Sequence, residues 1–268
     1  MTQQEHSAQR KTALITGASS GIGYELAKIF ARENYRLVLV ARNLPKLDEI
    51  KEEIKNKYDV TVKNIQSDLS LISSAQEIYD KLQSESIGID VLVNNSGFGL
   101  YGKFAKTDLA VETNMIQVNV IALVQLTKLF LNDLVNRGAG KILNIASTAA
   151  FQPGPFMSVY FATKAFVLNF TEAIAAELEG SGVTVSVLCP GPTKTNFSKI
   201  AGSERANIFK ISMDAKTVAE AGFKGLMKGK RIIIPGIQNK ITAQSSRFAP
   251  RKLVTKVAKK LLGQGVNN

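Results

Sequence analysis

Tyr160 and Lys164 stand four residues apart in Tyr160-Phe161-Ala162-Thr163-Lys164. On a helix, positions i and i+4 share a face, so phenol and ammonium are brought together. A phenol with its ordinary pKa of ~10 is a poor base at neutral pH. A neighbouring cation favours the phenolate and lowers that value. Such a tyrosine can exchange a proton with the oxygen of a bound molecule. The spacing alone is weak, because Tyr-x-x-x-Lys pairs arise by chance on many helices. Ser147 closes an expected strand over Lys141–Ile145, just ahead of this helix. Its hydroxyl can hold the same oxygen, or can simply cap a turn.

A second constellation lies near the N-terminus. Gly17-Ala18-Ser19-Ser20-Gly21-Ile22-Gly23 follows a short apolar run and precedes an amphipathic one. Glycine lets the backbone turn sharply and approach a ligand closely. The first turn of the following helix then offers unpaired N–H groups to a pyrophosphate. A plain tight turn is the alternative reading. In a dinucleotide-binding unit, an acidic residue after the second strand accepts the ribose hydroxyls of NAD. Here the strand ends Val40-Ala41-Arg42-Asn43, with Lys46 a turn later. A planar guanidinium suits a 2′-phosphate, so the expected cofactor is NADP(H). Arg42 as a solvated loop residue is the other reading.

These residues need elements to position them. Apolar runs predict strands over Thr12–Ile15, Leu37–Ala41, Thr61–Ile65, Asp90–Val93, Lys141–Ile145, Thr184–Leu188 and Arg231–Ile234. Between them, helical periodicity covers Tyr24–Glu33, Asn43–Tyr58, Ile72–Gln83, Leu109–Asn136 (as one or two helices), Val159–Glu179 and Thr217–Lys228. Thr195–Asn207 reads as a loop. Alternating strands and helices predict a doubly wound parallel sheet of the Rossmann type, in a single α/β domain. The expected organisation is a polar leader over 1–10, the domain over 11–245 and a basic extension over 246–268.

Composition narrows the function further. The single cysteine, Cys189, excludes an internal disulfide and a cysteine metal cluster. The single histidine, His6, falls in the polar leader, so neither a zinc enzyme nor a Ser-His-Asp hydrolase is expected. No bound metal is expected. No apolar run approaches the ~20 residues of a membrane-spanning helix, and the N-terminus lacks an apolar signal core. The expected location is cytoplasmic, with peripheral contact to a membrane surface left open.

Taken together, the motifs resemble those of the short-chain dehydrogenase/reductase family. The matching elements are Thr-Gly-x-x-x-Gly-Ile-Gly at 16–23, Asp68, Asn94-Asn95-Ser96-Gly97, Asn119, Ser147, Tyr160 with Lys164, and Pro190-Gly191. They cover roughly residues 12–195 in family order. The resemblance implies hydride transfer between a nicotinamide cofactor and a hydroxyl or carbonyl carbon. It makes Tyr160 the acid/base, with Ser147 orienting the substrate. Lys164 would also hold the nicotinamide ribose, and Asn119 a water linking Lys164 to solvent. It places Asp68 and Leu69 near the adenine, and Asn94, Asn95 and Gly97 on the cofactor floor. Pro190, Gly191, Thr193 and Thr195 would lie by the nicotinamide amide. Ser96 departs from the commoner alanine. The family also implies a homodimer or homotetramer, joined through helices around 109–136 and 158–179. Phe166 and Phe170 suit that role, or the domain core. A catalytically weak NADP-binding regulator of the same fold is the alternative, and the complete set of four catalytic residues argues against it.

The net charge of +12 is unevenly placed. Residues 1–198 hold 19 basic and 19 acidic side chains, whereas 199–268 hold 15 and 3. Near the end, Leu253, Val254, Val257, Ala258, Leu261 and Leu262 form one helical stripe, flanked by Lys252, Lys256, Lys259 and Lys260. Such a helix can lie on an anionic membrane, or pack on the domain or a sister subunit. Nucleic acid is not an expected partner, since no binding motif accompanies the charge. Phe197, Ile200, Ile208, Phe209 and Ile211 between Thr195 and Thr217 imply an apolar substrate pocket.

Overall fold

Short apolar runs form the strands, and amphipathic runs form the helices that cover them. The structure, a computed structural model, describes residues 10–203 and 212–263, without the side chain of Arg247. In chain order the elements begin β1 (Thr12–Thr16), α1 (Gly21–Arg32), β2 (Arg36–Ala41), α2 (Leu44–Lys57), β3 (Val62–Gln66), α3 (Ser74–Ser84) and β4 (Val91–Asn94). Then come α4 (Leu109–Ile116), α5 (Ala122–Asn136), β5 (Gly140–Ile145), α6 (Ser158–Glu177) and β6 (Val183–Leu188). The chain ends with β7 (Thr193–Lys194), α7 (Phe197–Ile200), β8 (Met213–Asp214), α8 (Ala215–Met227), β9 (Ile232–Ile233), α9 (Ile237–Phe248) and α10 (Arg251–Leu262). Seven strands pair in parallel in the order β3-β2-β1-β4-β5-β6-β9, the doubly wound sheet expected from the sequence.

Both sheet faces are covered. Phe30 of α1 and Leu226 of α8 pack on one side, Leu82 of α3 and Phe130 of α5 on the other. Strand β1 has β2 on one flank and β4 on the other, so the winding reverses there. At such a reversal, the loops leaving the carboxyl ends of the strands open a crevice. The glycine-rich turn after β1 and the Asn95–Gly97 segment after β4 both stand at it.

Several boundaries differ from the sequence expectation. The stretch 109–136 is two helices joined by a five-residue π-turn, Gln117–Ile121. By length and composition this stretch could cross a membrane, which reading apolar runs alone missed. Here it packs on the sheet: Leu126, Phe130 and Leu134 are buried in the core with Leu92 and Ile142. The expected loop after Thr195 contains α7, whose Phe197 packs beside Tyr160. Position 246 lies inside α9, a helix the sequence reading did not include. Ile208, Phe209 and Ile211 lie outside the described residues.

Candidate active site

Tyr160 and Lys164 sit on the first turns of α6, facing the end of β5. Both are buried, at 9% and 5% exposure, and the Lys164 Nζ lies 5.8 Å from the centre of the Tyr160 ring. Nζ donates to the Ile145 carbonyl at 2.9 Å. Burial pushes the phenol up to about 12, while a hydrogen bond with Ser147 pulls the other way. Burial also pushes the Lys164 ammonium down to about 8. In the protein alone, burial sets the direction of the phenol's shift, upward. A value of about 12 favours the protonated phenol at neutral pH.

Ser147 follows β5 and fills the capping role open to it. Its Oγ accepts from the Ala149 N–H at 3.1 Å, capping a short 3₁₀ turn over Thr148–Phe151. The same hydroxyl donates to the Pro190 carbonyl at 3.3 Å and reaches the Tyr160 phenol. Asn119 lies in the π-turn and is 1% exposed. π-Turns recur at functional sites because they re-aim side chains within a helix. The Asn119 side chain accepts from the Phe98 N–H at 3.1 Å, and donates to the Phe98 carbonyl at 2.9 Å and Thr163 Oγ1 at 3.1 Å. It therefore ties the segment after β4 to α6. The role of Thr163 is not visible in the sequence, where it is one of the three residues between Tyr160 and Lys164.

Gly97 completes this convergence. A Cβ there would come within 3.0 Å of Asn119 Oδ1 and 3.3 Å of Lys164 Nζ. Glycine keeps the space beside the ammonium open.

The glycine-rich turn is fixed to β4 by side chains. Thr16 Oγ1 accepts from the Asn95 and Ser96 N–H groups, each at 3.0 Å. Asn95 Nδ2 donates back to the Thr16 and Gly17 carbonyls at 3.0 and 3.1 Å. Thr16 appears in the sequence motif without an assigned role; here it clamps the floor. Gly17 has φ +63, and a Cβ there would stand 2.8 Å from Asn95 Nδ2. Ser20 precedes α1 without capping it through its side chain, and the first turn holds no acid. By contrast Asn43, Asp108 and Asp214 cap α2, α4 and α8. The α1 N–H groups beside Ser19, Ser20, Gly21, Ile22 and Gly23 are arranged to suit an anion. The Thr195 methyl lies against Gly21, within 2.9 Å of where a Cβ would sit, so the strand ends meet over this turn.

The remaining expected cofactor residues take distinct places. Arg42 is exposed just after β2, and its carbonyl accepts from Gln66 Nε2 at 3.1 Å. Lys46 is exposed and paired with Glu49 at 2.5 Å. Asp68 Oδ1 accepts from the Ser70 N–H at 3.0 Å, whereas the Leu69 side chain is buried in the core. Asn94 is 3% exposed, and its amide donates to Asn144 Oδ1 at 2.9 Å and Thr127 Oγ1 at 3.0 Å. Its side chain is thus a strut joining β4 to β5 and α5. Gly191 is buried against Asn239 of α9, and Thr193 Oγ1 donates to the Gly191 carbonyl at 2.9 Å. Among the described residues no group of three or more His, Cys, Asp or Glu could hold a metal.

Phe197 crosses the Tyr160 ring at 5.1 Å, and Met157, Phe156 and Phe98 join the same apolar cluster. Leu262 of α10 packs into it, and its carbonyl accepts from the Tyr101 hydroxyl. A separate cleft of about 740 Å³ lies between the 150–155 turn, α6 and α10. Neither Tyr160, Ser147 nor Lys164 lines it, so it is distinct from the catalytic crevice.

This arrangement of fold and residues has close counterparts among known proteins. Residues 11–206 match the family model described as short chain dehydrogenase. The chain belongs to that family, one of NAD(P)-dependent oxidoreductases acting on CH–OH and C=O groups. It is 37% identical over 196 residues to the very-long-chain 3-oxoacyl-CoA reductase-B of Danio rerio, covering 71% of this chain and 62% of that protein. It is 34% identical over 253 residues to a ketoacyl reductase of Nostoc sp., covering 89% of this chain and 82% of that protein. Several curated relatives are thus matched over only about three fifths of their length. A solved short-chain dehydrogenase from Sphingobium yanoikuyae in complex with NADPH superposes with TM-score 0.81 at 31% identity, covering 91% of this chain and 95% of that one.

Proposed function

We propose that this chain is an NADP(H)-dependent oxidoreductase that reduces the carbonyl carbon of an apolar substrate, or oxidises the matching alcohol. Tyr160 carries the proton. The observation that supports this best is the Tyr160 hydroxyl itself. It is buried and protonated, bonded to Ser147, four residues from a buried Lys164 and walled by Phe197 and Met157. When bound, the nicotinamide supplies or accepts the hydride. Ser147 orients the substrate oxygen, and Tyr160 donates its proton to that oxygen as the carbonyl is reduced. In the oxidising direction the phenol must first give up a proton, and the Lys164 ammonium favours that loss. Lys164 also meets the ribose beside Gly97, and Asn119 positions both Gly97 and α6.

On the cofactor side, Gly17 to Gly23 hold the pyrophosphate, Arg42 the 2′-phosphate, and Asp68 the adenine. Lys46 supplements Arg42 only by leaving Glu49. The substrate class follows from the apolar wall and agrees with the 3-oxoacyl and ketoacyl reductases this chain resembles. Oligomers form through α4–α5 and α6, where Phe166, 42% exposed, stacks on Phe170. The test is NADPH oxidation across 3-oxoacyl thioesters and bulky ketones, with Tyr160→Phe as control. Turnover of an apolar oxo substrate that disappears in the control is expected. NADPH binding without turnover on any of these substrates would overturn the reading.

A further inference from the structure

We propose that the outer face of α10 is a docking surface for an anionic lipid bilayer, set beside the apolar cluster that contains Tyr160. The sequence shows one six-residue apolar stripe on α10, but the structure divides it. Ala258 and Leu262 turn inward, at 3% and 2% exposure, and Leu262 joins the cluster containing Tyr160 and Phe156. Leu253, Val257 and Leu261 remain outside at 52%, 50% and 49%. These three are spaced i, i+4, i+8 and form one ridge. The helix is already anchored without them, so packing on this chain does not account for the ridge. On α9, Ile237, Ile241 and Phe248 are more exposed still, at 77%, 64% and 87%.

The charges beside the ridge select the occupant. Lys252, Lys256, Lys259 and Lys260 are all exposed. None of them is in an ion pair among the described residues, and the sequence holds no acidic side chain after Glu220. A second copy meeting this face about a two-fold axis would set these lysines against their own equivalents. A bilayer bearing anionic headgroups pairs with them instead, while the shallow ridge enters the headgroup–acyl boundary. The inner edge of the same helix reaches the apolar cluster at Tyr160. A bilayer-dissolved substrate would then meet the site where it partitions. That last clause rests on the proposed apolar substrate; the docking itself does not.

The test is co-sedimentation of the full chain with vesicles of phosphatidylcholine, alone or mixed with phosphatidylglycerol. Binding to the mixed vesicles only, weakening as salt shortens the Debye length, is expected. Leu253→Ser/Val257→Ser/Leu261→Ser should reduce binding at least about tenfold, as loss of a shallowly buried apolar face requires. NADPH affinity and melting temperature should be unchanged, since these side chains are outside the packed edge. Replacing the four lysines by Gln should remove the preference for phosphatidylglycerol. No binding of the parent chain at low salt would overturn the proposal. So would undiminished binding by the serine variant, or a serine variant that shows by light scattering that an oligomer has dissociated. Binding to duplex DNA with equal salt dependence would assign the charge to another partner. None of these readouts depends on turnover, so failure here leaves the proposed reaction standing.

Discussion

Helices α6 and α10 both carry lysine beside apolar residues and put it to opposite uses. On α6 the sheet and its loops close around the helix, burying Val167, Leu168 and Lys164 together. The ammonium loses water and turns to the Ile145 carbonyl. On α10 only Ala258 and Leu262 are buried, and every lysine keeps its water. The two segments already differ in pattern: α6 is apolar nearly all round, as a buried helix is, whereas α10 is strongly amphipathic with five cations in twelve residues. Position follows the pattern: α6 packs lengthwise on β5 and β6 with Lys164 at the end of β5, and α10 keeps only one edge on the domain. A lysine becomes chemically tuned only where the fold pays the cost of drying it.

The sharpest way to break this comparison is to remove the proton donor. Tyr160→Phe should lower kcat by about 10²–10⁴, the contribution typical of a positioned acid. NADPH affinity should be kept, because the ring still packs on Phe197. Changing the four α10 lysines to Gln should leave kcat on a water-soluble substrate unaltered. Steady-state kinetics with both variants checks the contrast. Near-normal turnover in Tyr160→Phe would assign the proton to another group.

A smaller effect is expected at the exposed end of the cofactor crevice. Arg42→Ala should weaken NADPH by about 1–3 kcal/mol, the range for a charge-assisted contact. Arg42→Asp should move the preference toward NADH. Calorimetry with both cofactors reads this directly, and parent protein that prefers NADH would remove Arg42 from the cofactor site. The two regions would then differ again: a cation in water at Arg42 matters through its ligand, whereas Lys164 matters before any ligand arrives.

The sheet was legible because its strands are continuous apolar runs buried on both faces. Leu37–Ala41 and Thr184–Leu188 announce themselves in this way. The four residues proposed as catalytic were picked out by their spacing and family order, and the structure brings Ser147, Tyr160 and Lys164 together. The clamps that hold them were not legible. Thr16, Thr163, Thr127, Asn144 and Thr171 are ordinary polar residues whose partners lie 27 to 80 positions away, apart from the local bonds of Thr163 to Tyr160 and Thr171 to Val167. Nothing local marks them. The π-turn at Gln117–Ile121 was hidden for a related reason, since an inserted residue disturbs the helical period only slightly. The upward push on the phenol in the protein alone was not legible, because a sequence shows the nearby cation and not the burial.

Thr16→Val tests the least visible of these clamps. The shape is kept, but the Asn95 and Ser96 N–H groups lose their shared acceptor. An unsatisfied buried donor costs about 1–3 kcal/mol, which for a chain of this size lowers the melting temperature by several degrees. Thermal unfolding checks the stability, and NADPH affinity should fall with it because the floor after β4 is released. A variant that melts as the parent does would show that water replaces the hydroxyl there.

The smallest expected effect has the opposite sign. Lys164→Met should abolish turnover and yet raise the melting temperature by roughly 2–4 °C at pH 7, about 1 kcal/mol. The Lys164 ammonium is held down to about 8, chiefly by burial, against an ordinary 10.5. Below pH 8 both the folded and unfolded chains carry the proton, so the whole desolvation cost burdens the folded state. Between about 8 and 10.5 the unfolded chain binds a proton that the folded chain has released. Stability contributed by this group therefore rises with pH across that window. The advantage of the Met variant should be largest below pH 8 and shrink as pH approaches 10.5. Tyr160 works in the other direction: its folded value of about 12 lies above the ordinary 10, so its contribution is lost as pH rises from 10 to 12. Both proteins contain Tyr160, so to a first approximation that loss cancels from the difference. Melting curves of the two proteins from pH 6 to 10 read the gap, with the range fixed by these two values. A Met variant that melts below the parent at pH 7 would mean that the Ile145 carbonyl and the phenol more than offset the drying of the ammonium. In that case Lys164 would resemble a structural pin, and its difference from the solvated lysines of α10 would lie in its partners rather than in its burial.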